Sequence, residues 1–340
     1  MSGSANVGVH VDHARDEDPA KLAEFEARIT AGELLEPDDW MPQAYRQGML
    51  KMAEHHANSE IIGALPEGEW ITRAPSLRRK LALTAKVQDE VGHGQMLYRV
   101  SQDLGKSRDQ MLRDLITGKT KYHNVFNYPA PTWGDIAMIQ WLIDGAAILN
   151  QKTLADGAYG PYVRTMKRIN MEEAFHFKSG EDMVLTLMSG TKTQRQMGQE
   201  AFDRWWYPAL MFFGPPDKPH AEQLPPMRWR MKTVTNDDLR RRFINRFAPA
   251  AIDLGLKIHV VKKDDNGMVI EKKPDENLRL DETTGNWSFT QPDWDEFYRV
   301  IRGNGPCNAK RLALRRFSYE QGRWVRHAIL RGNAGLPPAA

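Results

Sequence analysis

Two Glu-x-x-His motifs, Glu90–His93 and Glu173–His176, lie in apolar, helix-patterned segments, and each is preceded by a lone carboxylate at nearly the same distance. Glu60 stands 30 positions before Glu90, and Asp144 stands 29 positions before Glu173. Residues at i and i+3 share a helix face, so each Glu and His of a motif can reach one point together. Four carboxylates and two imidazoles, delivered as two matching halves, are the ligand set of a carboxylate-bridged metal pair inside a four-helix bundle. A chain built this way must bury charge in its core, and that limits its fold more than any other feature.

A single Glu-x-x-His arises by chance roughly once in a chain of this composition, so neither motif carries the argument alone. The matched upstream acids carry it. Asp144 sits between Trp141-Leu142-Ile143 and Ala146-Ala147-Ile148-Leu149, and Glu60 precedes Ile61-Ile62. An unpaired carboxylate buried there costs several kcal/mol, and metal ligation removes that cost. Carboxylate and imidazole ligands favour iron or manganese, and the single cysteine, Cys307, excludes a cysteine-rich zinc site. Glu172 and Asp89, next to the motif glutamates, point about 100° away around their helices and read as solvated acids or acids outside the ligand set. Lys86, four residues before Glu90, reads either as an ordinary ion pair or as a cation held against the anionic cluster. His55 and His56 read as polar helix residues rather than ligands, the six-ligand set being complete without them.

The predicted fold is all-α: a four-helix bundle with extra C-terminal helices and a small irregular or hairpin excursion. Helical segments are expected at about 43–64, 77–104, 134–156, 160–189, 194–212 and 236–254, with shorter helices at 291–302 and 307–331. Pro66 and Gly68 are expected to end the first, and Ser76 to cap the second. The first four form two pairs, a structural repeat visible mainly in its ligand spacing. The connection 117–133 carries Tyr122, Phe126 and Tyr128 and reads as functional rather than as linker. Asp-Asn-Gly at 265–267 is a turn signal within 256–290. Residues 1–20 read as a mobile polar tail, 21–255 as the bundle and 256–340 as an extension. A net charge of +3 does not by itself imply nucleic acid. No secretory signal and no membrane span is expected, and one cysteine fits a reducing, cytoplasmic setting. Arg240-Arg241-Arg242 reads as a solvated face or a subunit interface, and the basic last helix (Arg311, Arg315, Arg316, Arg323, Arg326) as a surface or interface helix.

Long stretches around these residues resemble one family: "DDWMPQAYR" at 38–46, "SEIIGALPEGEWITRAPSLRRK" at 59–80, "AKVQDEVGHG" at 85–94, "FNYPAPTWGDI" at 126–136, "WLIDGAAILNQ" at 141–151, "YGPYVRTM" at 159–166, "WWYPALMFFGP" at 205–215 and "TNDDLRRRF" at 235–243. They look like the catalytic subunits of bacterial multicomponent phenylacetyl-CoA epoxidases. The resemblance implies a ferritin-like fold and a di-iron monooxygenase, with two irons per chain on Glu60, Glu90, His93, Asp144, Glu173 and His176. It places a site lysine at Lys86 and gives Lys86, Glu60 and Asp144 catalytic roles. It implies that phenylacetyl-CoA and O2 are converted to a ring epoxide and water, in phenylacetate breakdown. Electrons would come from NADPH through the FAD and iron–sulfur cluster of a reductase subunit. The complex would also hold a related helical subunit, with a small bridging subunit. CoA contacts would fall at Lys51, His55, Lys121, Tyr122, His123, Asn124, Lys232 and Asn236, where His55 and the His123-Asn124 pair depart from the family's residues. The alternatives are an oxygenase for another aryl-CoA, such as benzoyl-CoA, and an iron-binding bundle without catalysis.

Overall fold

The computed structural model describes residues 18–322 together with 324, 325, 327 and 328. Tail residues 1–17, and Arg323 and Arg326 of the basic last helix, lie outside the described residues. Helix α1 (Pro19–Thr30) begins within the stretch expected as tail, with Asp18 accepting from Ala20 N. Four long elements follow the expected order: α2 (Gln43–Gly68), α3 (Leu77–Asp103), then a short α4 (Arg108–Ile116), then a helix in three parts, then a 29-residue helix. The three-part element comprises α5 (Trp133–Met138), a π-helical turn (Ile139–Ile143) and α6 (Asp144–Leu154). The long helix is α7 (Gly160–Met188), with Pro161 in its first turn, where its missing N–H costs nothing.

Helix α2 runs through Pro66, which was expected to stop it. The last turn is held from outside: Glu67 in that turn is buried and bonded to Lys86 and Gln140. Ser76 caps α3 as its sequence suggests, accepting from Arg79 N at 3.2 Å. Helix α4 was not anticipated; Ser107 caps it, and it buries Met111, Leu112 and Leu115.

Helix α8 (Lys192–Met211) buries Trp205, Trp206 and Tyr207 against α5 and the π turn. A short α9 (Pro225–Arg228) and α10 (Asn236–Asp253) follow. Phe243 and Phe247 of α10 stack at 4.5 Å and join Trp141 and Phe202 in the larger apolar core. A second core gathers Phe25, Tyr45, Tyr98, Tyr159 and Trp229 from α1, α2, α3, the start of α7 and the end of α9. The excursion holds two antiparallel hairpins rather than one: β1 (His259–Lys263) with β2 (Val269–Pro274), and β3 (Arg279–Asp281) with β4 (Asn286–Ser288). Gly267 takes the first turn at φ +78°. Helices α11 (Trp294–Arg299) and α12 (Asn308–Gln321) finish the described chain.

Two arginines expected at a surface or an interface are buried within the chain. Arg240 donates to Leu210 O at 3.1 Å and lies over Trp294, while Arg311 donates to Phe126 O and pairs with Glu69. Their forks satisfy backbone carbonyls where the C-terminal helices meet the bundle. No helix among the described residues is long and apolar enough to cross a membrane.

Candidate metal centre and its cavity

Helices α2, α3, α6 and α7 each turn charge inward at one level. Glu60, Glu90, His93, Asp144, Glu173 and His176 are all buried, the two imidazoles completely. Their ligand atoms form two groups, each with its atoms within 4.8 Å of one another: Glu60, Glu90, His93 and Glu173; and Asp144, Glu173 and His176. Glu173 belongs to both. The structure thus brings together all six residues singled out by spacing.

The imidazoles point Nδ1 inward and Nε2 outward. His93 Nδ1 lies 3.5 Å from Glu173 Oε1 and 3.7 Å from Glu90 Oε2; His176 Nδ1 lies 3.3 Å from Glu173 and 3.5 Å from Glu90. Outside, the two halves cross. His93 Nε2 meets Glu172 of the other motif at 2.9 Å, and His176 Nε2 meets Asp89 at 3.1 Å. An acid on the far ring nitrogen fixes the tautomer and aims the near nitrogen at a cation. Glu172 and Asp89 are only partly exposed and take this role, Glu172 being braced in turn by Arg168.

The group fits a metal pair on its own chemistry. His93 Nδ1 and Asp144 Oδ2 are buried without a hydrogen-bond partner. Such atoms are costly unless something positive sits between them. Burial raises the Glu60 carboxyl, the Glu90 charge adding to the effect, and burial pushes Asp144 well up against the pull of Lys86. Burial opposes charge on His93, but the surrounding carboxylates of Glu173, Glu60 and Glu90 hold it raised. A cation at the centre would supply the positive charge that imidazole protons otherwise supply.

Lys86 Nζ lies 2.7 Å from Glu67 Oε2 and 3.3 Å from Asp144 Oδ2, and it also bonds Glu90. Burial disfavours the ammonium, yet Asp144, Glu67, Glu90 and Glu173 outweigh it and hold Lys86 well above the usual lysine range. Glu67, fixed also by Gln140 Nε2 at 2.9 Å, was missed in the sequence. Its signal was present: it lies seven residues after Glu60, two turns along the same face of α2.

Asp144 is placed by the π turn. Its N–H bonds Ile139 O, five residues back. Such a widened turn inserts an extra residue, and π turns often occur at functional sites. Gly180 of α7 makes room for it, since a Cβ there would come within 2.5 Å of the Gln140 and Trp141 backbone.

A cavity of about 220 Å³ opens on the Glu60 and Asp144 side. Buried Glu60, Glu90, Asp144 and Glu173 line its floor, and half-buried Phe212, Lys232 and Asn236 its outer part. Ile139, Ile143, Phe126 and Phe213 give it apolar walls. Of the expected CoA contacts, His55, His123, Lys232 and Asn236 line it. Lys232 is half-buried, with Asn236 Oδ1 at 2.6 Å, and burial lowers it with only Asp217 opposing. His123 donates Nε2–H to Phe212 O at 2.8 Å and stacks on that ring at 4.3 Å. Burial lowers His123 to about 3, with His55 adding to the effect, and burial lowers His55 to about 4. The other expected contacts are not in the lining. Lys51 is exposed, Lys121 bonds Gly118 O, Tyr122 sits between Asn127 and Asn308, and Asn124 is buried beside the loop.

With this geometry established, comparison with known proteins places the chain. A family model described as "Phenylacetic acid catabolic protein" matches residues 26–324. The chain is 44% identical, over 306 residues, to one of the subunits of the 1,2-phenylacetyl-CoA epoxidase of Escherichia coli (strain K12), an overlap of 90% of this chain and 94% of that relative.

Proposed function

The chain belongs to the phenylacetic acid catabolic protein family, and from that premise we propose that it epoxidises the aromatic ring of phenylacetyl-CoA as an oxidoreductase of phenylacetate catabolism. The observation that carries this reading is one cavity bounded by buried acids on its floor and by Lys232 and Asn236 outside. The metal would be an iron pair held by Glu60, Glu90, His93, Asp144, Glu173 and His176. Bound iron would supply the electrons that activate O2.

The chain's own residues do the rest. The apolar walls receive an uncharged aryl ring and exclude water from the carboxylates, which strengthens every electrostatic interaction there. Lys232 and Asn236 present a cation and an amide to the polar thioester arm or its phosphates. Neutral His55 and His123 line the wall without adding charge where the ring must pass. Lys86 keeps compensating charge beside Asp144 and Glu90. The Escherichia coli relative is named as one subunit of its epoxidase, which supports partner subunits for this chain too. We assign them as an NADPH-dependent reductase carrying FAD and an iron–sulfur cluster, a related helical subunit, plus a small bridging subunit.

The test uses the chain with its partner subunits. Iron-loaded complex is reduced anaerobically and mixed with O2 and phenylacetyl-CoA, with benzoyl-CoA in parallel, and the thioesters are weighed by mass spectrometry. The reading expects phenylacetyl-CoA to gain one oxygen atom. Unchanged phenylacetyl-CoA with a full iron load would overturn it, and oxidation of benzoyl-CoA alone would move the substrate to another aryl thioester.

A further inference from the structure

Glu60 is held by a histidine and a tyrosine, whereas Asp144 meets the Lys86 ammonium. His56 stands one turn before Glu60 on α2 and is engaged at both ring nitrogens. Its Nε2 lies 2.9 Å from Glu60 Oε1, and its Nδ1 lies 2.9 Å from the Tyr162 hydroxyl. An ionised carboxylate only accepts, so Nε2–H donates to Glu60 and Nδ1 accepts from the phenol. Tyr162, on the first turn of α7, is 2% exposed, so its hydroxyl has no bulk water to turn to. Gln151 of α6 packs on the third side, its amide nitrogen 3.4 Å from His56 Nε2, a contact without a hydrogen bond in this tautomer.

Glu60's second oxygen faces the other way. Oε2 looks toward His93 Nδ1, 3.8 Å off, and so into the first ligand group. One oxygen is therefore committed to the imidazole and one to the ligand cluster. The partner carboxylate of the other half, Asp144, meets Lys86 instead.

We propose that Tyr162 and His56 are positioning residues that lock Glu60 with one oxygen turned to the metal, so that the metal position built on Glu60 and His93 depends on them and the one built on Asp144 and His176 does not. The proposal rests on the metal-site reading above. Carboxylates that ligate a metal swing easily between modes of attachment, and an outer hydrogen bond on the free oxygen limits that swing. The tyrosine's part is to hold the imidazole in the one tautomer that can donate.

The experiment is anaerobic Fe(II) titration of the metal-free complex by calorimetry, with Co(II) visible absorption as a second probe of coordination. Wild type takes up two metals. His56→Leu is expected to weaken one of them about 10- to 100-fold, with changed Co(II) bands, and leave the other within about threefold. His56→Gln can still donate to Glu60 and should recover most of the loss. Tyr162→Phe keeps the imidazole but frees its tautomer, and should cost only a few-fold at the same metal. Wild-type titration and Co(II) bands in His56→Leu would overturn the proposal. So would Leu and Gln variants that lose both metals alike, since that marks a packing role. A wild-type complex that takes up no metal pair would instead overturn the site reading, a result distinct from either.

Discussion

The two halves of the centre share their ligands but not what surrounds them. In both, a Glu-x-x-His motif supplies a buried acid and an imidazole, and the acid beside the motif of one half bonds the histidine of the other. The lone carboxylates differ. Glu60 comes from an unbroken α2 and is tied to His56, whereas Asp144 follows a π turn and lies against Lys86. The inner ligands obey the repeat because they must surround one charge pair. The supports diverge because one side of each lone carboxylate faces a cavity that has no two-fold symmetry. The comparison teaches that ligand identity and ligand mobility are set separately.

The comparison breaks first, and most completely, at the shared residue. Glu173 belongs to both groups, so Glu173→Ala should lose both metals and lower turnover by at least about 100-fold, beyond the 10- to 100-fold typical of residues outside the ligand set. Metal analysis after desalting and single-turnover assay check this. Retention of one metal would show the halves to be independent.

Lys86 tests the support that Asp144 has and Glu60 lacks. Lys86→Met leaves Asp144, Glu67 and Glu90 without their cation, and removing one partner of a buried pair costs about 3–5 kcal/mol. Urea unfolding of metal-free protein should show that deficit, and adding Glu67→Gln should return part of it. The metal load should survive, because bound cations replace the ammonium, while the reaction with O2 changes. A deficit of the same size in the metal-loaded protein would contradict the replacement.

The crossed acids test whether the repeat holds outside the ligands. Asp89→Ala releases His176 and Glu172→Ala releases His93, and each should weaken metal binding about 10- to 100-fold. Similar losses in the two variants preserve the symmetry. A difference greater than about tenfold would assign the repeat to geometry alone.

What was legible in the sequence follows the same division. Ligands at i and i+3 on amphipathic helices are local facts, so six positions and four long helices could be read from spacing. Glu67 and His56 were legible in principle, at seven after and four before Glu60, but their weight comes from Lys86 and Tyr162 on other helices. Nothing local marks Tyr162 or Gln151 as neighbours of His56. The π turn is equally tertiary, because it needs Gly180 of α7 opposite Gln140. Arg240 shows the reverse error: a run of three arginines reads as surface or interface, yet its first member is drawn inside by the Leu210 carbonyl and the Trp294 ring. Of the expected CoA contacts, the loop residues Lys121, Tyr122 and Asn124 serve the loop's own packing, a choice fixed by α12 and the helix ends rather than by their own chemistry.

The smallest expected effect lies on the cavity wall, where asymmetry is greatest. His55 and His123 stay neutral in the folded chain, held at about 4 and about 3 by burial first and by neighbouring basic side chains second. Unfolded, both take up protons near pH 6.5. Between that value and their folded values the unfolded chain binds more protons, so stability rises with pH across this window and is lost as pH falls through it. Near pH 5 the pair should make unfolding take up about two protons. Carboxylates titrate in the same range, so the measurement is a difference: urea midpoints of wild type and of His55→Gln/His123→Asn from pH 7 to pH 4. The double variant should lose stability less steeply on acidification, by about two protons at pH 5, and match wild type in slope above pH 7. Parallel curves would mean that these imidazoles charge in place, and the wall of the cavity would then carry positive charge toward the carboxylates instead of remaining neutral.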